Sequence, residues 1–398
     1  MPNRHSRPAP SSTPELGRTN RRRVLAEILY GAPLSRKEIA DQSGLTGATV
    51  SRIVKDLVES ELVAEAASPL PTKRSGRREI ALSLHAKGLY FLGIGINAFT
   101  QWVSVFGPDH NVLAYQEFTF DSLADAPQVL ATICQTARTL ISQASISSTR
   151  LAGAAITIAG VVDPRDGHLL SAPTLGWEDL ALGDMIRSEL DIPVCVETFP
   201  NTLNLAETRF GAAKGCDNVV LVNVSLHLGA SLLLDNHLRR GRNFGAGLIG
   251  DLAVTPHVTA PTLDALAAGI AVIKTFDGAT RTELDTHGHS PAQALLHLKQ
   301  AALAGDEEVN EAFRHAGRQL SHTLKLIDTL LQPDQILISG PISTIPSYIE
   351  GVLDGMPQRP EQAVISVSRM EHQQALRLLA YDEFLVRRDI DLSRFNEA

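Results

Sequence analysis

Residues 35–57 restrict the fold of this chain more than any other segment, because they carry two helix signals separated by one glycine. Ser35 and Glu38 form a capping box, which predicts a short helix that begins there. Gly44 predicts its end, because glycine adopts the left-handed C-cap conformation freely. Thr46 predicts the cap of a second helix. One face of that helix is an apolar stripe with helical spacing: Val50, Ile53, Val54 and Leu57.

The flanking segments complete a small module. Leu25, Ile28 and Leu29 indicate an earlier helix, and "ELVAEA" and "EIALSL" indicate two strands around the basic tip "ASPLPTKRSGRR". Three helices followed by a two-stranded wing are typical of a winged helix-turn-helix, whose last helix enters the major groove of DNA. The alternative is an ordinary three-helix domain whose surface Arg and Ser residues have no function. The order of capped helix, glycine turn, apolar stripe and basic wing favours the DNA-binding module.

The outward face of this module provides the candidate DNA contacts. Thr49, Ser51 and Arg52 are predicted to face base edges, because hydroxyl and guanidinium groups read bases in the major groove. The other candidates, mainly for phosphate or the minor groove, are Arg36, Lys37, Thr46, Lys55 and the wing residues Lys73, Arg74, Arg77 and Arg78.

The distribution of charge supports a basic module on an acidic body. The formal net charge is −8, which by itself argues against a nucleic-acid partner. Residues 1–85, however, carry 14 Lys and Arg against 9 Asp and Glu, whereas the remainder carries 22 against 35. We therefore predict a disordered tail over 1–17, a DNA-binding domain over 18–85 and a larger domain over 86–398.

The same sequence indicates a cytoplasmic protein without a membrane partner. It contains no apolar run of about 18 residues, and its N-terminus lacks the apolar region of a secretory signal. Its three cysteines are too few and too scattered for a disulfide framework.

From about Gly88 the pattern changes to strands that alternate with helices, which predicts an α/β body. Hydrophobic residues make up 44% of the chain, enough for a sizeable core. The predicted strands are "LYFLGIGI", "WVSVF", "NVLAYQEFTF", "LAGAAITIAG", 193–197, 218–224 and "QILISG", with a hairpin turn at Asp235-Asn236 and helices over 124–145, 201–210, 291–304 and 308–331.

Four segments of the body, taken in order, resemble the ROK family of repressors, open reading frames and sugar kinases, in its repressor branch. They are "AGVVDPRDGHLLSAPTLGW", "VETFPNTLNLAE", "LGASLLLDNHLRRGRNFGAGLIGD" and "QPDQILISGPIS". The resemblance spans roughly residues 19–390. It implies an actin/hexokinase-like (RNase H-like) body with two α/β lobes around a cleft, behind the winged helix-turn-helix.

The departures from the family pattern predict that the body is not an enzyme. Gly95 stands where the phosphate-binding loop of the family's kinases has aspartate, and Phe199 stands where the family has its catalytic base. Phosphoryl transfer needs positioned charge around the phosphates, and a phenylalanine cannot accept a proton. Leu248 replaces a sugar-binding glutamate, and Asp251 replaces a zinc-ligating histidine. No catalytic residue is assigned.

The zinc loop of the family has no counterpart, since "TPHVTAPTLDALAAG" replaces it without a cysteine. A thiolate zinc site needs cysteines, so we predict no metal and no cofactor. His257 in that segment is interpreted as a loop histidine.

A partial ligand site remains by resemblance to the family. The residues that could still bind hydroxyl groups of an effector are Thr174, Thr198, Asn201, Asp251 and Asp264. Because Leu248 and Phe199 make the walls more apolar, a sugar with a less polar substituent, or another small metabolite, fits better than a plain hexose. The alternative is that these residues only pack the two lobes together.

The resemblance and the residues together predict a DNA-binding transcriptional regulator, in the family's commoner mode a repressor of carbohydrate uptake or catabolism genes. A homodimer or homotetramer would read a palindromic operator in double-stranded DNA, since symmetric dimers bind paired half-sites. One alternative is a DNA-binding protein whose body is only an oligomerisation scaffold. The other is a sugar kinase with an appended domain.

Overall fold

The computed structural model of the protein describes residues 13–67, 80–109, 111–120, 122–253, 260–279, 284–356, 363–388, 390 and 392. The wing residues Lys73, Arg74, Arg77 and Arg78, and His257, lie outside these ranges.

The N-terminal elements form the predicted module. They are α1 (Thr13–Gly31), α2 (Arg36–Ser43), α3 (Gly47–Glu59), β1 (Val63–Ala67) and β2 (Ile80–Leu84), with β1 and β2 antiparallel. The capping box is confirmed, since the Glu38 carboxylate accepts a hydrogen bond from the Ser35 N–H at 2.7 Å and the Ser35 side chain accepts one from the Glu38 N–H. Gly44 ends α2 in the left-handed conformation, and Thr46 caps α3. The four stripe residues of α3 are buried, as predicted.

The first helix begins earlier than predicted. Of the predicted disordered tail over 1–17, residues 13–17 belong to α1, which begins at Thr13, and residues 1–12 lie outside the described ranges. A proline next to the start of a helix costs no hydrogen bond, and the acidic Glu15 lies in the first turn, where it favours the positive end of the helix dipole.

The first lobe of the body combines strands with two α-helices in its described residues. They are β3 (Tyr90–Ile96), β4 (Gln101–Phe106), β5 (Val112–Phe118), α4 (Ala126–Gln143), β6 (Leu151–Ile158), β7 (Val161–Asp163), β8 (His168–Ala172), β9 (Trp177–Leu180), α5 (Leu182–Leu190) and β10 (Val194–Thr198). Its main sheet has the order β10-β6-β3-β4-β5, and β7, β8 and β9 form a small second sheet. Strand β4 is buried throughout and β3 nearly so, which explains their continuous apolar sequence.

The second lobe follows, again with a five-stranded sheet, in the order β13-β12-β11-β14-β15. Its elements are α6 (Phe199–Phe210), β11 (Val219–Val224), β12 (Leu228–Leu234), β13 (His237–Leu238), α7 (Asp264–Ala267), α8 (Gly269–Thr275), α9 (Pro291–Leu303), α10 (Glu307–Leu331), β14 (Gln335–Ser339), α11 (Pro346–Gly355), β15 (Val364–Val367) and α12 (His372–Tyr381). The predicted two-lobed α/β body is therefore confirmed.

Two local predictions in this lobe have clear outcomes. The hairpin turn at Asp235-Asn236 is confirmed, with both residues at positive φ. The helix predicted over 201–210 begins two residues earlier, at Phe199, because the Thr198 side chain accepts the N–H of Asn201 and caps it.

Helices α6 and α12 lie between the two main sheets. Helix α6 packs mainly on β11 and β12 of the second lobe, whereas α12 packs on β3 and β6 of the first. The two helices also pack on each other, with Leu203, Ala206, Ala375 and Leu376 in one buried cluster. They therefore form the seam between the lobes.

The module is docked onto this seam through the same apolar cluster, which includes Val24 and Ile28 of α1 and Phe384 beyond α12. Arg21 donates a hydrogen bond to the carbonyl of Ile390 at 2.9 Å, and Arg22 donates one to the carbonyl of Arg387 at 3.0 Å. Two arginines of the basic run "RTNRRR" thus bind the body, and the body fixes the orientation of the module.

The buried stripe of α3 generates a stability prediction. Leu57→Ala should lower the free energy of unfolding by about 2–5 kcal/mol, because the substitution removes buried methyl groups and leaves a cavity. Ser51→Ala, on the exposed face of the same helix, should change it by less than about 0.5 kcal/mol. Urea denaturation of the full chain measures both. Equal effects of the two substitutions would contradict the assignment of the inward face.

Candidate functional site

A cleft of about 1370 Å³ separates the two lobes. All five residues predicted to bind an effector line it: Thr174, Thr198, Asn201, Asp251 and Asp264. Ligand pockets are commonly about 300–1,000 Å³, so the cleft has room for a small molecule and for closure of the lobes around it.

Asp264 organises one polar group in the cleft. Its carboxylate accepts a hydrogen bond from the Leu228 N–H at 2.7 Å, and its other oxygen lies 2.7 Å from Nδ1 of His227. The hydrogen bond to Asp264 raises the pKa of His227, and the negative charge of Asp251 adds to the effect. The half-exposed imidazole of His227 is therefore the part of this group that is presented to the cleft.

Glu197 organises a second polar group and joins the lobes. One of its oxygens accepts hydrogen bonds from the Thr198 N–H at 2.9 Å and from the Asn201 side-chain amide at 2.8 Å. The other oxygen accepts one from Arg240 of the second lobe at 2.5 Å. Glu197 is 4% exposed and the Arg240 side chain is 25% exposed, so the pair is largely buried. The Asn201 amide N–H and the Thr198 hydroxyl are thus already engaged within the protein, the latter as the cap of α6.

A second contact between the lobes involves the same loop after β13. The Arg165 guanidinium of the first lobe lies over the Phe244 ring of the second, 5.1 Å from its centre. Removing one partner of a buried ion pair is strongly destabilising, so Arg240 and Glu197 fix the relative position of the lobes more firmly than this exposed stacking contact.

Aromatic and aliphatic groups form the remaining walls of the cleft. The Phe199 ring meets the His372 imidazole edge-on, with ring centres 5.0 Å apart. Burial lowers the pKa of His372 to about 4, so this imidazole is neutral at neutral pH. Leu248 is exposed at the cleft surface. These residues give the cleft an apolar part of its lining in addition to its carboxylates.

The position of Gly95 leaves no space for the aspartate of a kinase. A side chain built at Gly95 would overlap the indole of Trp102 on the neighbouring strand β4. The adjacent loop is closed by Asn97, whose side-chain oxygen accepts hydrogen bonds from the N–H groups of Phe99 at 2.8 Å and Thr100 at 3.1 Å.

Sequence reasoning did not assign His227, Arg240 or His372 to the site. His227 lies 37 residues from Asp264, and Arg240 lies 43 residues from Glu197. No short-range pattern connects such pairs, and only the folded lobes bring them together.

The predicted DNA-binding residues divide into exposed and engaged side chains. Lys37, Ser51, Arg52 and Lys55 are exposed on α2 and α3, and Lys55 also forms an ion pair with Glu59 at 3.6 Å. Arg36 instead forms an ion pair with Glu65 of the wing at 2.5 Å.

The two threonines at the start of α3 are also partly engaged. The hydroxyls of Thr46 and Thr49 lie 2.8 Å apart, and Thr46 also caps the helix. Ser51, Arg52 and Lys55 therefore form the most accessible part of the face, which lies beside Lys37 of α2.

Two further observations apply to the part of the chain that the structure describes. Within those residues, no group of three His, Cys, Asp or Glu side chains is close enough to hold a metal ion. None of the helices seen there has the length and apolar character to cross a membrane.

Sequence models of two known families match the chain, one over the body and one over the N-terminal module. The sequence model of the ROK family matches residues 92–375, and that of the MarR family matches residues 17–73. The chain is 25% identical over 320 residues to the N-acetylglucosamine repressor of Escherichia coli O6:H1, which covers 79% of this chain and 78% of that protein.

Two other proteins extend the comparison. The chain is 27% identical over 238 residues to the xylose repressor of Bacillus subtilis, which covers 60% of this chain and 61% of that protein. The crystal structure of a ROK family transcriptional regulator, a homologue of the E. coli Mlc protein, superposes with a TM-score of 0.75 at 23% identity. It covers 96% of this chain and 100% of that one.

The pKa values of the two cleft histidines should be shifted in opposite directions from the ordinary value of histidine. In an NMR titration of the full chain, His227 should become half-protonated above the ordinary value of about 6.5, and His372 near pH 4. Asp264→Asn should lower the pKa of His227 and leave that of His372 unchanged.

The lowered pKa of His372 also predicts that the free energy of unfolding depends on pH. Its folded-state pKa is depressed, so its contribution to the free energy of unfolding is present above about pH 6.5 and is lost as the pH falls towards 4. His372→Gln should remove this part of the acid sensitivity. Indistinguishable pKa values for the two histidines in the wild-type chain would contradict the geometry of the cleft.

Proposed function

Because the chain belongs to the ROK family, we propose that it is a DNA-binding transcriptional repressor whose kinase-like body binds a sugar or a related small metabolite and does not phosphorylate it. One observation carries the proposal: a winged helix is docked directly on the seam of a two-lobed body whose catalytic positions hold Gly95 and Phe199.

The loss of catalysis is supported by packing as well as by residue identity. Trp102 fills the space that a side chain at position 95 would need. The Phe199 ring has no atom that can accept the proton of a sugar hydroxyl, which a kinase must remove. Phosphoryl transfer depends on charge positioned around the phosphates, and this arrangement is incomplete without an aspartate at position 95. In our proposal the remaining carboxylates of the cleft instead accept hydrogen bonds from a ligand.

The chemistry of the cleft supports an amphipathic sugar derivative as the effector. The lining of the cleft includes groups that can hydrogen-bond to hydroxyls, on Asp251, Thr174 and His227, and the apolar side chains of Phe199 and Leu248. N-acetyl-D-glucosamine has both characters, and two relatives of this chain are named as repressors for that sugar and for xylose. These two sugars and D-glucose are therefore the first probes.

The exposed side chains on α2 and α3 of the module support the assignment of DNA contacts. In our proposal Thr49, Ser51 and Arg52 meet base edges, and Lys37 and Lys55 meet phosphates. Residues 18–85 with the helical extension at their N-terminal end form the reader, and residues 86–398 hold the effector and pair the chains. A homodimer would place two readers on a palindromic operator.

Substitution of Arg52 tests the reader. With a duplex selected from a random library by the wild-type chain, Arg52→Ala should weaken binding by about 5- to 150-fold and relax the selected sequence. Lys55→Ala should weaken binding to all sequences similarly and reduce the salt slope by about 1. Arg239→Ala, an exposed arginine on the second lobe, is the matched control and should have no effect. Unchanged binding by both module variants would refute the assignment.

Calorimetry of the cleft tests the effector and separates a sensor from a scaffold. At least one of the three sugars should release or absorb heat, and Asp264→Ala should weaken its binding, because the substitution removes the partner of His227. The bound sugar should change the affinity for the selected duplex, and addition of ATP should yield no sugar phosphate. Absence of heat with all three sugars would favour the scaffold alternative, and turnover of ATP to sugar phosphate would establish a kinase.

A further inference from the structure

We propose that α6 and α12 are the mechanical link between the cleft and the DNA-binding module, and that Tyr30 of the module responds to their relative position. This inference deepens the proposed function and rests on it for its biological meaning. Contacts at the two ends of the helix pair support the link itself.

At the cleft end, the first residues of the two helices touch each other. Phe199 begins α6 and His372 begins α12, and their rings are in contact with centres 5.0 Å apart. Both side chains line the cleft. A ligand that packs against either ring therefore acts directly on the junction of the two helices.

At the module end, the last residues of the same helices meet at Tyr30. The Tyr30 hydroxyl donates a hydrogen bond to the carboxylate of Asp382, which directly follows α12, at 2.5 Å. The Arg209 guanidinium, in the last turn of α6, lies 4.8 Å from the centre of the Tyr30 ring and 3.1 Å from the same carboxylate. The Phe210 ring at the end of α6 lies 5.7 Å from the Tyr30 ring.

The burial of Asp382 makes this contact sensitive to small displacements. Asp382 is 4% exposed, and the groups that face it are Tyr30, Arg209 and Arg387, the last at 2.7 Å. A buried carboxylate that loses a partner carries a large desolvation cost. Tyr30 remains a hydrogen-bond donor, because burial raises the pKa of its hydroxyl well above its usual range. When α6 shifts relative to α12, Tyr30 must therefore move with them to keep its contacts with Asp382 and Arg209.

The two helices pack on the sheets of different lobes, so movement of the lobes displaces one helix along the other. Helix α6 packs mainly on the sheet of the second lobe and α12 on the sheet of the first. A helix of 12 residues is about 18 Å long and transmits displacement along its length. Closely packed helices change position by sliding between discrete arrangements, as in shear motions.

A contact elsewhere on the module supplies a matched control. Arg150, before β6 of the first lobe, donates hydrogen bonds to the carbonyls of Ser60 at 3.3 Å and Gly88 at 3.2 Å. This contact holds the module to one lobe only. Its loss should loosen the module without interrupting the link.

Hydrogen–deuterium exchange of the full chain tests the link without DNA or sugar. Phe199→Leu, at the cleft end, should change the exchange rates of amides in residues 24–31 of α1 several-fold. In the Tyr30→Phe background, which keeps the ring but removes the hydroxyl, the same substitution should leave those rates unchanged. In the Arg150→Met background its effect should persist. If Phe199→Leu does not fold, His372→Asn perturbs the same ring contact from α12.

Two results would overturn the link. The first is no change in α1 exchange on substitution at the cleft end. The second is the same change in the wild-type and Tyr30→Phe backgrounds, which would mean that the two ends act independently.

A DNA measurement distinguishes failure of the link from failure of the proposed function. Where a sugar probe changes duplex affinity in the wild-type chain, by about 5- to 150-fold for a typical coupling, Tyr30→Phe should bring that factor towards 1 while sugar binding persists. An undiminished factor in Tyr30→Phe would contradict the link. A wild-type chain that binds no duplex contradicts the proposed function, while the exchange experiment still decides whether the link exists.

Discussion

The buried carboxylate of Asp382 joins the DNA-binding module to the two seam helices. It receives the Tyr30 hydroxyl from the DNA-binding module, Arg209 from α6 and Arg387 from its own helical turn. Buried charge is tolerated only when it is paired and hydrogen-bonded, so this site requires the module and both seam helices to be in place together. The module is therefore a part of the body's core and not an appendage on a flexible linker, and its orientation depends on the seam between the lobes.

The cleft lies at the other end of the seam, and packed aromatic side chains form part of its wall. Trp102 occupies the space beside Gly95, and the Phe199 ring contacts His372. Two carboxylates also stabilise the folded lobes: Glu197 binds Arg240 of the opposite lobe, and Asp264 binds His227. In the proposed function, a ligand that binds two arrangements of the lobes unequally shifts the balance between them, which is the behaviour that a sensor requires.

Local patterns in the sequence were sufficient for most of the fold. The capping box at Ser35 and the positive-φ turn at Asp235-Asn236 follow from residues within a few positions of one another, so they could be predicted. The earlier start of α1 was missed, because a Pro- and Ser-rich beginning gives little helical periodicity. The partners of the candidate site could not be predicted, since Glu197 and Arg240 are brought together only by the packing of two lobes. The same holds for Tyr30 and Asp382, which are 352 positions apart.

In the proposed function, the cleft and the DNA-binding module act as one unit on specific genomic sites. Genome-wide mapping of the sites bound by the full chain in its native host, during growth on different carbohydrates, tests this coupling. We expect a limited set of palindromic sites beside genes of carbohydrate uptake or catabolism, with occupancy that falls on one carbohydrate and persists on the others. Bound sites without palindromic symmetry, or occupancy that is the same on every carbohydrate, would contradict it.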